Sequence, residues 1–471
     1  MAKRRTRREF IEATTAAFAV MNAAPALAEA PSSGQPIAVR QTHSTKRYAE
    51  GTPLEWGPAS APAPQTIVLD TSRTYQEILG FGAAFTDAAC YVISRLAADA
   101  REQVLKDLFH PASLNLSVCR TCMGSSDYSL EAYSYDEGDP DPEMHRFTIE
   151  RDRSWILPTL RQARQINSSL FLLASPWSPP GWMKSNGSML GGSLRKHWFS
   201  AYAGYFVKFL QSYAAEGVTI DAVTSQNEVD TDQDGRMPAC LLGQEYEIEF
   251  IARHLGPAIV KNQLHTRIWI LDHNYNLWGR AICTLDEPEV RRYVDGVAWH
   301  GYAGNPSAMT RVHAAHPDKH AYWTEGGPDF TDPRYGTDWA KWSETYTGIL
   351  RNQARCIIGW NLALDEKGKP NIGPFTCGGL VTIHSGTHQI TYSGQYFAFA
   401  HYSRTVRRGA RRFHSEGASN GVSHVGFLNP DGSAALILTN PGAETRVRLD
   451  LADMMTEITL PADSISTLTW S

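Results

Sequence analysis

Two glutamates at the ends of apolar, strand-like runs are the residues of this sequence best suited to chemistry. Glu228 follows Gln226-Asn227 at the end of a run over 220–228, and Glu325 closes the run 320–325. A carboxyl group set where a buried strand gives way to a loop can form an ion pair, ligate a cation or transfer a proton. At the ends of the other runs stand Asp127, Trp177, Asn227, His300, Tyr302 and Trp360, with Thr86, Asp87, Asp272 to Asn274 and Asn361 beside them. Facing carboxylates ringed by aromatics and neutral hydrogen-bonding groups suit glycoside hydrolysis. One acid protonates the leaving oxygen, and the other carboxylate supports the charge developing at the anomeric carbon. Trp and Tyr faces stack on the C–H faces of a sugar ring, while Asn and Asp read its hydroxyls. Structural ion pairing explains either glutamate singly and explains both at matched positions poorly.

A metal centre is the weaker reading, because the set lacks the Cys or multiple His that zinc prefers. Asp230, Asp232 and Asp234 alternate along the loop after Glu228. The rest of an EF-hand loop is missing, so the run reads as a solvated acidic loop, and no metal ligand or cofactor is expected. Cys119 and Cys122 have C-x-x-C spacing with no second pair to complete a zinc site. Seven cysteines leave at least one unpaired, and buried thiols are the simpler expectation.

Elements must hold these residues in place. Between 75 and 395 strand-like runs recur at 78–85, 114–124, 170–177, 220–228, 267–274, 296–302, 320–325 and 356–364. Most precede a segment of helical period; the clearest begins near Leu194, where Phe199, Tyr202, Phe206, Phe209, Leu210 and Tyr213 recur at i+3 and i+4. Eight alternating units predict an α/β fold, a closed (β/α)₈ barrel whose strand C-termini carry the site. The first run ends GFGAAF, without the glycine pattern of a dinucleotide-binding open sheet.

The flanks differ. Within a C-terminal domain at 405–471, residues 420–471 alternate apolar and polar, with turns at NPDG and NPG, and predict antiparallel hairpins. Residues 31–74 hold short strand-like pieces around a GPASAPAPQ connector and are too few to bury a core alone. They are expected to add strands to the C-terminal sheet, making one β side domain from both chain ends. Residues 1–28, with Arg7-Arg8, a modest apolar stretch and Ala26-Leu27-Ala28, read as a twin-arginine export signal. The expectation is an exported, periplasmic or secreted protein without stable membrane insertion. A net charge of −5 on 471 residues points to no nucleic-acid partner, and the basic run 404–412 reads as a solvated linker.

Several long motifs make a resemblance specific: GFGAAFTDAA at 80–89, GSSDYS at 124–129, SPWSPPGWMKSNGSMLGGSL at 175–194, QNE at 226–228, WTEGG at 323–327 and GWNLALDEKGKPN at 359–371. The chain resembles glycoside hydrolase family 30, the glucosylceramidase-like retaining β-glycosidases, over roughly 75–405. The resemblance implies a (β/α)₈ barrel with a β side domain acting on a β-linked glycoside or glycolipid. It implies Glu228 as acid/base, Glu325 as nucleophile, and Asn227 on the sugar's 2-OH. Asp127 and Trp177 would hold the non-reducing sugar, with His300, Tyr302 and Trp360 lining the same pocket. The chain departs from the family at Val229, where Pro is common, so the leaving-group side is its own. A β-glucosidase, glucosylceramidase-like or exo-β-glucanase activity follows. The alternatives are an endo-xylanase-like member and a catalytically silent carbohydrate-binding protein. The first would need an Arg after the eighth strand, where DEKGKPNIGPFTCGG has only lysines; the second has no use for a matched acid and nucleophile.

Overall fold

The computed structural model describes residues 31–60, 65–417 and 421–471. The expected export segment, 1–28, lies outside the described residues. Eight parallel strands close a barrel: β1 Gly80–Phe85, β2 Val118–Cys122, β3 Phe171–Ser175, β4 Ala222–Thr224, β5 Arg267–Asn274, β6 Val294–His300, β7 His320–Glu325 and β8 Ala354–Gly359. β5 and β7 coincide with their sequence runs. β4 is much shorter than 220–228, because the side chain of Gln226 and the backbone of Asn227 bond the Pro176–Trp177 segment instead of a neighbouring strand. The run at 356–364 divides into β8 and a separate two-residue strand, Ala363–Leu364, that belongs to a small three-stranded sheet. The aromatic-rich helix is Phe199–Ala215, preceded by a single 3₁₀ turn at Lys196–Trp198.

Strand alternation sorts side chains into two cores. In β3, Leu172 and Ala174 join the large cluster shared with the helices, whereas Phe171 and Leu173 join a separate cluster with Val118, Ala222, Trp269, Ala298 and Tyr322. Residues from all round the barrel meet there, so that second cluster fills its interior. Phe171, Trp269 and Tyr322 stack in series, with centroids 5.9 and 3.7 Å apart. One step further along the strands the inward positions turn polar: Arg120, Ser175, Thr224, His300 and Thr324. β5 reaches the same layer by a different parity. A register irregularity falls between Leu271 and His273, and Leu271 and Asp272 both have positive φ (71° and 46°). This bulge sends Leu271 outward and turns Asp272 in, against simple alternation.

Both chain flanks build one eleven-stranded sheet around its own apolar cluster. Pro36–His43 lies between Lys46–Glu50 and Ser464–Trp470, and Thr66–Glu77 pairs with Arg411–Glu416 before leading into β1. The sheet is antiparallel except where Thr66–Glu77 runs parallel to Thr445–Leu451. No helix among the described residues is long and apolar enough to cross a membrane.

Candidate active site

Arg120, in the middle of β2, organises the barrel mouth. It is fully buried, and Nη1 donates to Glu325 Oε2 at 2.6 Å while Nη2 donates to Asp272 Oδ2 at 2.6 Å and to Asn227 Oδ1 at 2.7 Å. Nε reaches Ser175 Oγ at 3.1 Å and Nη1 the Thr324 carbonyl at 3.4 Å, so five neighbours share one guanidinium. Its plane lies over the Trp177 ring, 4.6 Å from the centroid. Trp177 in turn stacks on Trp360 (5.0 Å, 19°), which makes a continuous aromatic wall.

Glu325 is held at both oxygens, with Arg120 on Oε2 and the Tyr302 hydroxyl donating to Oε1 at 3.0 Å. Glu228 stands on a different footing. It lies four residues beyond β4 with φ 51°, a left-handed conformation costing on the order of 1 kcal/mol or more for a non-glycine residue. Its N–H donates to the Asp272 carbonyl at 2.9 Å, which fixes that conformation to the β5 bulge. Gln233 donates to Oε2 at 2.8 Å, and Oε1 faces His300 Nδ1 at 3.3 Å and His273 Nδ1 at 3.6 Å. His300 links the two glutamates, because its Nε2 lies 3.0 Å from Asp272 Oδ1 and 3.8 Å from Glu325 Oε2.

Charge follows from these contacts. Burial would lower His300, but Glu325, Asp272 and Glu228 raise it to about 9, so it is an imidazolium at neutral pH. Burial would raise Glu228, yet the His300 hydrogen bond and charge, with His273 and Gln233, hold it below the ordinary carboxyl value. Glu325 sits above its ordinary value: burial raises it, His300 and Arg120 oppose this, and Glu228 and Asp272 add repulsion. Asp272 is also buried, but Arg120 and His300 hold it far below the usual range, a permanent anion under the site. Asp127 is pushed well up by burial and by the charges of Glu325 and Glu228.

Glu228, Glu325, Asp127, Trp177, Asn227, Tyr302 and Trp360 all line one cavity of about 380 Å³. His300 differs from the expectation that it lines this pocket. It is fully buried beneath the floor, where it faces the carboxylates and not a sugar. Arg120 and Gln233 do not emerge from the sequence, and Asp272 and His273 appear there only as strand-end residues without an assigned role. An arginine inside the apolar run VCRTC was the available signal for the first, since a charge in a buried barrel strand needs partners.

Comparisons with known proteins assign the chain's family. The model of the glycosyl hydrolase family 30 TIM-barrel domain matches residues 78–406, and that of the family's beta sandwich domain matches 409–468. The chain belongs to glycoside hydrolase family 30. An endo-1,6-β-D-glucanase of Trichoderma harzianum is 32% identical over 456 residues, covering 89% of each chain. The lysosomal acid glucosylceramidase of Mus musculus is 29% identical over 429 residues, covering 86% of this chain and 83% of the other. The solved structure of an endo-β1,6-glucanase superposes with a TM-score of 0.84 at 28% identity, covering 92% of this chain and 99% of that one. As a family 30 glycoside hydrolase, the protein is an enzyme acting on a β-glycoside.

Proposed function

We propose that the protein cleaves internal β-1,6 linkages of a β-glucan by double displacement, with Glu325 as nucleophile and Glu228 as acid/base. The observation that carries the assignment is the unequal anchoring of the two glutamates. Glu325 is fixed at both oxygens by Arg120 and Tyr302, which suits an atom that must attack along one line. Glu228 shares a hydrogen bond with an imidazolium, which suits a group that must gain and lose a proton. Moving the His300 proton across that contact makes Glu228 the acid without changing the total charge of the site. One imidazole contacts both carboxyl groups, so a proton on it is shared between the two glutamates.

The endo reading draws on the relatives described as endo-1,6-β-glucanases and on the rim. Tyr302 and Phe375 are 49% and 41% exposed at the cavity, offering ring faces to sugars beyond the cleaved bond. The apolar rim and the glucosylceramidase relative favour a second reading, a glucosylceramide headgroup as substrate. A linear β-1,6-glucan and glucosylceramide, each followed by product sizing and NMR, separate the readings. The expected result is early release of mixed oligosaccharides, with the β-anomer formed first. An initial α-anomer overturns double displacement, and glucose as sole product overturns internal cleavage.

A further inference from the structure

Glu228, His273 and His300 place one carboxylate oxygen and two ring nitrogens within 4.8 Å of one another at the cavity. We propose that these three side chains form a site for a divalent transition metal of the zinc or copper class, and that its occupation switches the glycosidase off. The switching rests on the proton-donor role of Glu228 proposed above; the binding does not.

Four features of the geometry carry the site. A tetrahedral zinc ion with bonds of about 2.0–2.1 Å has donor atoms about 3.4 Å apart. Glu228 Oε1 already lies 3.3 Å from His300 Nδ1 and 3.6 Å from His273 Nδ1, so two edges of that tetrahedron are in place. The third edge, between the two imidazoles, is at most 4.8 Å and must close by up to about 1.4 Å on binding. Second, His273 is buried and its Nδ1 has no hydrogen-bond partner, so a donor atom is aimed at the site without other employment. Third, Asp272 accepts from His300 Nε2 at 3.0 Å, so the metal takes the place of the proton on Nδ1, which is released to solvent; a carboxylate behind a ligating histidine orients the ring and strengthens it as a donor. Fourth, Gln233 holds Glu228 Oε2 and leaves Oε1 for the metal. Two imidazoles and one carboxylate favour zinc or copper over calcium or magnesium, which take oxygen donors. The fourth position opens on the cavity that also holds Glu325, so a water or a sugar hydroxyl completes the shell. A metal on Oε1 occupies the oxygen that faces His300 and removes the proton donor from the reaction.

Zinc binding to the purified full chain tests this directly. Titration calorimetry should give one zinc per chain, and crystals soaked in zinc should show an anomalous peak between the three side chains. Hydrolysis should fall in step with occupancy and return on adding EDTA. His273→Gln, which breaks no hydrogen bond that His273 Nδ1 makes, should weaken zinc binding at least tenfold while its circular dichroism and melting match the parent. The absence of a peak between these residues in the parent overturns the site, whatever the variant does. Zinc seated there with hydrolysis intact overturns the switch, and with it the proton-donor role of Glu228, a failure distinct from the first.

Discussion

Glu228 and Glu325 carry the same side chain and differ only in what surrounds them. Glu325 has an arginine and a tyrosine; Glu228 has two histidines and a glutamine on a left-handed turn. That difference predicts opposite responses to truncation. Glu325→Ala loses the nucleophile, and turnover should fall by several powers of ten, each about 1.4 kcal/mol of barrier. Glu228→Ala loses only proton transfer, a contribution of about 10²–10⁴-fold. With a dinitrophenyl glycoside, Glu228→Ala should give a burst of phenol followed by slow turnover. Azide should restore that turnover and yield the β-glycosyl azide, whereas Glu325→Ala should give the α-azide if it reacts. The reverse pattern would exchange the two roles. Arg120 touches no pocket volume and positions three acceptors that do or that support those that do. Arg120→Met strands the buried charges of Glu325 and Asp272, and breaking a buried pair costs about 3–5 kcal/mol. Arg120→Lys keeps the charge but cannot span Glu325, Asp272 and Asn227 together. It should stay folded by thermal melting while kcat falls more than KM changes; a variant with unaltered kcat would mean that the fork is structural only.

The elements of the barrel were legible where apolar runs are cut sharply by polar residues. β5 and β7 show this, since Asp272 to Asn274 and Glu325 end them. β4 was read too long because nothing in Ser225, Gln226 and Asn227 announces that their bonds go to a loop and a helix rather than a strand. Asp272 could not be assigned inward from alternation, because the bulge that turns it is a backbone irregularity with no side-chain signature. His273 and His300 converge only once β5 and β6 are laid side by side. The side domain was legible as strands, but not the parallel pairing of Thr66–Glu77 with Thr445–Leu451. Several side chains join barrel and sheet, among them Ser343 to Thr439, Arg351 to His424 and one buried histidine. His401, on the helix Gly394–Ser403, bonds Thr467 through Nδ1 and Thr42 through Nε2, both at 2.8 Å. Burial, with Arg404 nearby, lowers it to about 3. A depressed histidine stabilises the fold fully above its unfolded value, about 6.5, and that stability is lost as pH falls towards 3. Below pH about 6.5 the parent should lose up to about 1.4 kcal/mol per pH unit through this group. His401→Gln, which keeps a polar partner for the threonines, should therefore show a shallower acid slope of Tm. Parallel slopes for the two proteins would remove His401 from the acid response.

At the scale of the whole molecule, we propose export by the twin-arginine route, argued from Arg7-Arg8 and Ala26-Leu27-Ala28. Replacing both arginines by lysine should leave the protein in the cytoplasm on fractionation, and the exported parent should begin at or near Glu29. Unchanged export of the double variant would indicate another route. The pairing of Pro36–His43 with Ser464–Trp470 sets a timetable for the chain as well as a shape. Val39 lies opposite Leu468, so its partner is made 429 residues later (468 − 39). At about 5–20 residues per second, a growing chain waits roughly 20–90 s between the two. Throughout that interval the amino-terminal strand has one open edge, and Ile37 and Val39, buried in the finished sheet, have no C-terminal strand to cover them. A nascent or prematurely terminated chain thus displays an adhesive strand that the completed one hides, and chaperones or proteases can read it as a mark of unfinished synthesis.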